Sequence, residues 1–277
     1  MEGRLARCWA RAESGRFPQR GAQKVNSQPV RRVRLTVAYD GTAYAGWQIQ
    51  PHGTTVQALI EAAIRSVTGL DVKIHGSGRT DQGVHARGQV VHVDLEHPIR
   101  HGDLLRALNA VLPQDIRILR SSQVSPEFHA RRSAVGKEYR YFIWNGDVVP
   151  PFVRLYRAQV RRPLDVAAMR EAAHILCGRH DFGAFTANPS RVVESTVRHV
   201  TRLSVTRRGP EVVIRAEADG FLYKMVRSLA GWLIRVGEGA VEPGRTREIL
   251  DSRERTARVP TAPPEGLFLW RVWYKKP

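Results

Sequence analysis

Apolar and polar residues begin to alternate at Val33, with Val33, Leu35, Val37 and Tyr39 separated by Arg34, Thr36 and Ala38. A period of two, rich in β-branched residues, predicts a half-buried strand, which Asp40-Gly41 turns. Leu59, Ile60, Ala63, Ile64 and Val67 then recur at helical spacing. A capping box is read ahead of them at Thr54-Thr55-Val56-Gln57, and Gly69 is the stop. Short strands are predicted at 72–74 and 88–93. A helix from Asp103 through Leu104, Leu108 and Val111 ends at Pro113, and a strand at 116–119 closes a β-α-β-β-α-β run.

A second run of like order follows. Residues 137–145 are strongly β-prone, 165–176 are helical with Gly178 as the stop, and two strands at 197–205 and 212–218 flank an Arg-Arg-Gly-Pro turn. An apolar helix is predicted at 221–236, a shorter one at 243–250 and a last strand at 267–274. The two runs predict an α+β protein made of two similar split-βαβ halves, residues 31–136 and 137–277. Their strands would form a mixed, mainly antiparallel sheet with helices, around a central active-site cleft suited to a long substrate. The halves share a pattern, not residues. Residues 1–30 carry no sustained apolar period and are expected to be a basic, disordered extension. As an organelle leader they would be poor, because Glu2 and Glu13 interrupt the basic run and no amphipathic repeat is visible. No apolar run marks a secretory signal.

Composition sharpens this picture. Of 277 residues, 42% are hydrophobic, enough for a sizeable core. No stretch approaches the ~18 to 20 consecutive apolar residues of a membrane span. Cys8 and Cys177 are too few for a disulfide framework and offer no paired zinc spacing, so a reducing, cytoplasmic setting is expected. The 44 Lys+Arg exceed the 26 Asp+Glu by 18. Thirty-eight of those cations are arginine, which suggests coding bias, but bias does not explain the excess of cations over carboxylates. About +7 lies in residues 1–34, so the body keeps +11. Self-repulsion of that size is relieved by a polyanion, and nucleic acid is the leading partner class.

The densest chemistry lies in Gly76-Ser-Gly-Arg-Thr-Asp-Gln-Gly-Val-His-Ala-Arg-Gly-Gln89, a polar, glycine-rich loop between two strands. A dinucleotide fingerprint fails because Asp81 stands at the third glycine position and would repel a pyrophosphate. A P-loop fails because no Gly-Lys-Ser/Thr follows. A zinc nucleobase deaminase would need His-x-Glu and Cys-x-x-Cys, and neither occurs. His85, His92 and His129 are therefore expected to pack or to contact RNA, not to bind metal.

Gly78-Arg79-Thr80-Asp81-x-Gly83-Val84-His85-Ala86-x-x-Gln89-Val90 closely resembles the signature loop of the tRNA pseudouridine synthase A (TruA) family. Seven further motifs follow the family's order. They are Ala38-Tyr39-Asp40-Gly41-Thr42-x-Tyr44-x-Gly46-Trp47-Gln48, Thr55-Val56-Gln57, Phe128-His129-Ala130, Lys137-x-Tyr139-x-Tyr141, His180-Asp181-Phe182-x-x-Phe185, Gly220-Phe221-Leu222-x-x-Met225-Val226-Arg227 and Ala262-Pro263-Pro264-x-Gly266-Leu267. The resemblance spans about residues 32–274. It implies a pseudouridine-synthase fold and an isomerase that converts uridine to pseudouridine at positions 38, 39 and/or 40 of the tRNA anticodon stem-loop. It also implies a homodimer with tRNA spanning both subunits.

The chemistry fits the residues. The reaction breaks the uracil N1–C1′ bond, turns the base and joins C5 to C1′. No atoms or electrons are gained, so no cofactor, metal or small-molecule co-substrate is expected. A nucleophile that can also leave suits an ionised carboxylate, and the resemblance assigns that role to Asp81. Burial would favour its protonation unless a cation stands beside it, and Arg227 looks like the family's aspartate-pairing arginine. Tyr139 is similar to the tyrosine that packs on the target base, and Tyr141 shares its face by the two-residue period, so the sheet is expected to present both rings to the site. Arg79 is expected to help hold the flipped nucleotide, by filling its gap or by bonding phosphates. Gln89, His85 and Asp40 read as loop support. The route after Asp81 engages (attack at C6, attack at C1′, or a glycal) stays open. Two rivals stand beside this reading: an idle RNA-binding protein on the same fold, and a pseudouridine synthase with another RNA target.

Overall fold

The computed structural model describes residues 29–187 and 194–275. Most of the basic extension expected at 1–30 therefore lies outside the described residues. The first strand, β1 (Arg31–Tyr39), buries Val33, Leu35, Val37 and Tyr39 as the alternation predicts. It pairs antiparallel on one side with β3 (His85–Leu95) and on the other with β4 (Ile116–Val124). Nine of the eleven β3 residues are buried, the mark of a strand covered on both faces.

Helix α1 (Val56–Thr68) lays Val56, Ile60, Ala63 and Ile64 into the core and ends at Gly69 in the left-handed conformation (φ 74°). The capping box is not realised. Thr55, not Thr54, is the N-cap and accepts from Ala58 N, while Gln57 Nε2 turns to Glu61. The strand expected at 72–74 is absent for a related reason. Ile74 N donates to Glu61 Oε1 at 2.9 Å, and Ile74 O accepts from Gln57 Nε2, so α1 side chains take the groups a ladder would use. The strand forms one step later, as β2 (His75–Gly76) against β3. Helix α2 (His101–Val111) starts two residues ahead of Asp103 and packs on α1 and β4.

The second run begins with β5 (Gly136–Asn145), which pairs parallel with the short β6 (Ala158–Val160). Asp165 caps α3 (Val166–Ile175) by accepting from Ala167 N and Ala168 N. Strand β7 (Gly178–Asp181) pairs with β8 (Val197–Arg208), and β8 with β9 (Glu211–Ala218), which pairs with β5. The apolar helix is shorter than the 221–236 expected. It is α4 (Met225–Gly237), because Lys224 adopts a left-handed φ of 55° that a helix interior does not admit. Ten of its thirteen residues are buried, so it is a core helix and not a surface one. The shorter helix lies at α5 (Arg245–Ser252), two residues later than expected.

The last strand, β10 (Leu267–Trp273), runs antiparallel to β5 and parallel to β3, joining the strands of the two runs. The result is one ten-stranded sheet of order β4-β1-β3-β10-β5-β9-β8-β7, with β2 and β6 paired at its side. The fold is α+β, with a mixed and mainly antiparallel sheet and five α-helices among the described residues. No helix among them is long and apolar enough to cross a membrane.

His92, in the middle of β3, is 2% exposed and accepts at Nδ1 from Ala130 N–H. The rings of His75 and His129 stand 5.0 and 4.7 Å away. Burial first, then the charges of His129, Arg32 and His75, push the His92 imidazole down to about 4. Between the ordinary histidine value of ~6.5 and about 4, the unfolded chain binds a proton that the fold refuses. Stability present above that window is thus lost as pH falls through it. His92→Asn keeps an acceptor for Ala130, and its melting temperature should fall less between pH 7 and pH 5 than that of the wild type. An unchanged drop would place the acid sensitivity elsewhere. Among the described residues, no group of three or more His, Cys, Asp or Glu is arranged to hold a metal ion.

Candidate active site

The loop between β2 and β3 lines a cleft of about 2360 Å³ with residues from both runs of strands. Nine Lys or Arg and four carboxylates line it, so the net excess of positive charge in the chain is repeated locally. The loop is held from below. Gln89, fully buried on β3, accepts from Ser77 Oγ (2.6 Å) and donates to Gly78 O (2.9 Å). Tyr39 Oη and Thr80 Oγ1 stand 2.7 Å apart in a buried hydrogen bond, and Trp47 N donates to Thr80 O at 3.1 Å. Beyond the turn, His85 accepts at Nδ1 from Gly41 N–H, and its Nε2 lies 3.0 Å from Leu155 O. Those partners assign the proton to Nε2. Burial holds the His85 imidazole below the ordinary histidine range, so the approach of Asp40 to Nδ1 is not an ion pair. Gln89, His85 and Asp40 thus stand where loop support was expected.

Asp81 sits at the turn that this scaffold presents, with Val84 N donating to Asp81 O at 3.1 Å. Arg227, on the first turn of α4, donates from Nη1 to Asp81 Oδ2 at 2.9 Å. The guanidinium is aimed by a second bond, Nε to Ala262 O at 2.7 Å, while Ala262 N returns a bond to Arg227 O. Both side chains are largely sequestered, at 12% and 23% exposure. A planar fork bonded along two directions fixes the carboxylate in a way a flexible ammonium would not.

Tyr139, on β5, lines the same cleft and is 8% exposed. Its ring meets Phe221 edge-on at 5.1 Å, which sets its plane. Burial, and then the nearby Tyr39 and Asp81, push its phenol well above the usual tyrosine range, so it stays protonated. Arg79 is exposed and lines the cleft two residues before Asp81. The structure therefore brings Asp81, Arg227, Tyr139 and Arg79 to one cleft. It does not bring Tyr141, whose ring is fully buried and whose Oη donates to Pro263 O at 2.9 Å. Tyr141 shares the face but braces the 263–266 turn behind the site.

Sequence reading assigned no role to Tyr39, Trp47, Gly46 or Ala262, although each lies in a motif quoted above. Gly46 has φ 103°, and a Cβ there would stand 2.8 Å from Thr80 O, so only glycine lets this turn lie against the loop. Gly46→Ala should displace Thr80 and Asp81 and lower turnover by about 10²-fold, the usual consequence of an ångström of misplacement. Steady-state kinetics with a thermal melt would check this. Wild-type turnover in Gly46→Ala would show that the loop tolerates the shift.

A carboxylate bound to an aimed arginine, with a protonated tyrosine in the same cation-lined cleft, offers a reactive group where a polyanion would bind. Comparison with known proteins makes the class specific. A family model described as tRNA pseudouridine synthase matches residues 35–131 and 172–275. The tRNA pseudouridine synthase A of Brevibacillus brevis is 46% identical over 245 residues, covering 88% of this chain and 100% of that one. That of Moorella thermoacetica is 46% identical over 246 residues, covering 87% and 99%. The tRNA pseudouridine synthase A 2 of Clostridium perfringens is 42% identical over 245 residues, covering 88% and 100%. Among solved structures, the archaeal box H/ACA sRNP Nop10-Cbf5 complex overlaps 73% of this chain and 44% of that one, at 19% identity and a TM-score of 0.30. The chain belongs to the tRNA pseudouridine synthase family.

Proposed function

We propose that this protein isomerises uridine to pseudouridine at positions 38, 39 and/or 40 in the anticodon stem-loop of tRNA, with Asp81 as the nucleophile. The observation that carries the reading is the Asp81–Arg227 pair at 2.9 Å beside Tyr139, in a cleft rich in cations. The carboxylate bonds to the nucleotide and leaves again; the N1–C1′ bond breaks, C5 joins C1′, C5 loses its proton and the freed N1 takes one up, so atoms and charge balance. Arg227 holds the carboxylate in place through both half-reactions. Tyr139 packs against the flipped uracil, and its protonated phenol gives one hydrogen-bond donor to the base. Arg79 holds the flipped nucleotide, and the surrounding cations bind A-form backbone by charge and shape. No cofactor or metal enters this scheme, because the isomerisation conserves atoms and electrons.

The proposal includes a cytoplasmic homodimer with tRNA bound across both subunits. It draws support from the resemblance and from the exposed apolar side chains of Val148 and Phe152 between β5 and β6. Sedimentation equilibrium should return twice the chain mass, and a monomer at micromolar concentration would remove this part. The test of the function is incubation with unmodified tRNA, followed by carbodiimide mapping of pseudouridine. Modification confined to 38–40 is expected. Modification elsewhere would favour the other-target reading, and none at all the binding-only one.

A further inference from the structure

Lys137 opens β5 two residues before Tyr139, and its side chain reaches back to the catalytic loop. Nζ donates to Ser77 O at 2.7 Å, and a Cβ on Gly78 would lie 3.3 Å from Nζ. The acceptor is rigid, because Ser77 is fully buried, its Oγ is bonded to Gln89, and its N–H donates to Val90 O at 2.8 Å. Ser77 O engages one of the three N–H groups of the ammonium, which leaves two for the cleft that Lys137 lines.

The charge around it is one-sided. Among the described residues, Lys137 has no ion-pair partner, and neither do its charged neighbours Arg131 and Arg198, which line the same cleft. Burial, then repulsion from Arg131 and Arg198, push the ammonium down to about 8. A partly desolvated cation with spare donors and no anion is costly in the free protein. An anion delivered into the cleft repays that cost. A phosphodiester oxygen fits better than a uracil carbonyl, since three neighbouring cations call for a formal negative charge.

We propose that Lys137 is a substrate-positioning residue that binds a phosphodiester oxygen flanking the target uridine, from its anchor on Ser77 O. This rests on the tRNA-modifying reading above and adds the atom that Lys137 grips. It couples phosphate binding to the loop that carries Asp81, because the ammonium that takes the phosphate is anchored on Ser77 O of that loop.

The experiment compares wild type, Lys137→Met and Lys137→Arg on an unmodified anticodon stem-loop. A second RNA carries a neutral methylphosphonate at one or the other phosphate flanking the target. Binding is titrated between about 50 and 200 mM salt. Lys137→Met should weaken binding about tenfold or more and reduce the slope of log K against log salt by about 0.7 to 0.9. Lys137→Arg should restore the slope. One methylphosphonate should cost the wild type the same factor and cost Lys137→Met nothing further. KM should rise more than kcat falls.

A wild-type slope in folded Lys137→Met, or equal methylphosphonate penalties in both proteins, would reduce Lys137 to a strut for Ser77. If Lys137→Met does not fold, wild-type indifference to both methylphosphonates still overturns the proposal. Pseudouridine formation by the wild type on ordinary RNA is scored separately. Its absence would count against the function, and its presence with failed phosphate arms against Lys137 alone.

Discussion

Asp81→Asn should abolish pseudouridine formation and leave tRNA binding intact. The amide has the shape of the carboxylate and keeps an oxygen for Arg227 Nη1, now 2.9 Å from Oδ2, so the loop should hold its place. It cannot bond to the nucleotide and leave as a carboxylate does. Loss of a covalent nucleophile costs on the order of 10⁴-fold or more in turnover. The cations lining the cleft are untouched, and binding should keep its steep salt dependence. Single-turnover rates with enzyme in excess, set beside a filter-binding titration, separate the two effects. Loss of binding together with activity would show that Asp81 serves the fold of the loop instead.

Arg227→Met should have the next largest effect, for a different reason. It removes a partner from a largely sequestered ion pair and leaves the carboxylate of Asp81 without its cation. It also removes the bond from Nε to Ala262 O, which ties α4 to the turn before β10. Leaving one charge of such a pair alone costs about 3 to 5 kcal/mol when fully buried, and the residual exposure here places the loss at or below the lower end. Turnover should fall by roughly 10² to 10³-fold, the range seen when one preorganised donor is removed from an active site. Arg227→Lys should recover only part of it, since one ammonium cannot reach Asp81 and Ala262 with the geometry of a fork. Full activity in Arg227→Lys would mean that charge alone is required there.

Several parts of the fold were legible because their signal is local. The period of two in β1, the helical spacing and Gly69 stop of α1, and the helix at α3 each depend on residues within a few turns or one strand. Other parts depend on partners far along the chain. Ile74 looks like strand, yet Glu61 and Gln57 of α1 take its backbone groups. Strands β6 and β7 are too short to carry a period and exist because β5 and β8 pair with them. The parallel pairing of β10 with β3 is invisible locally, although it joins the strands of the two runs across the sheet.

The site divides in the same way. Asp81, Tyr139, Arg79 and Arg227 were found through motifs that resemble a family, and the fold brings them together from positions up to 148 residues apart. Tyr141 misled because a shared face does not decide depth: its hydroxyl is spent on Pro263. Lys137 lay in a quoted motif without a role, because only the folded chain shows that its ammonium ends on Ser77 O with cations for neighbours.

The central claim is that the carboxylate of Asp81 performs the isomerisation on tRNA. Formation of the C5–C1′ bond expels the hydrogen on C5, so tRNA labelled with tritium at uracil C5 reports the chemical step directly. With enzyme in excess, the wild type should release the label from the 38–40 region, and Asp81→Asn should bind the same tRNA and release none. Release by Asp81→Asn at a rate near that of the wild type would contradict the account.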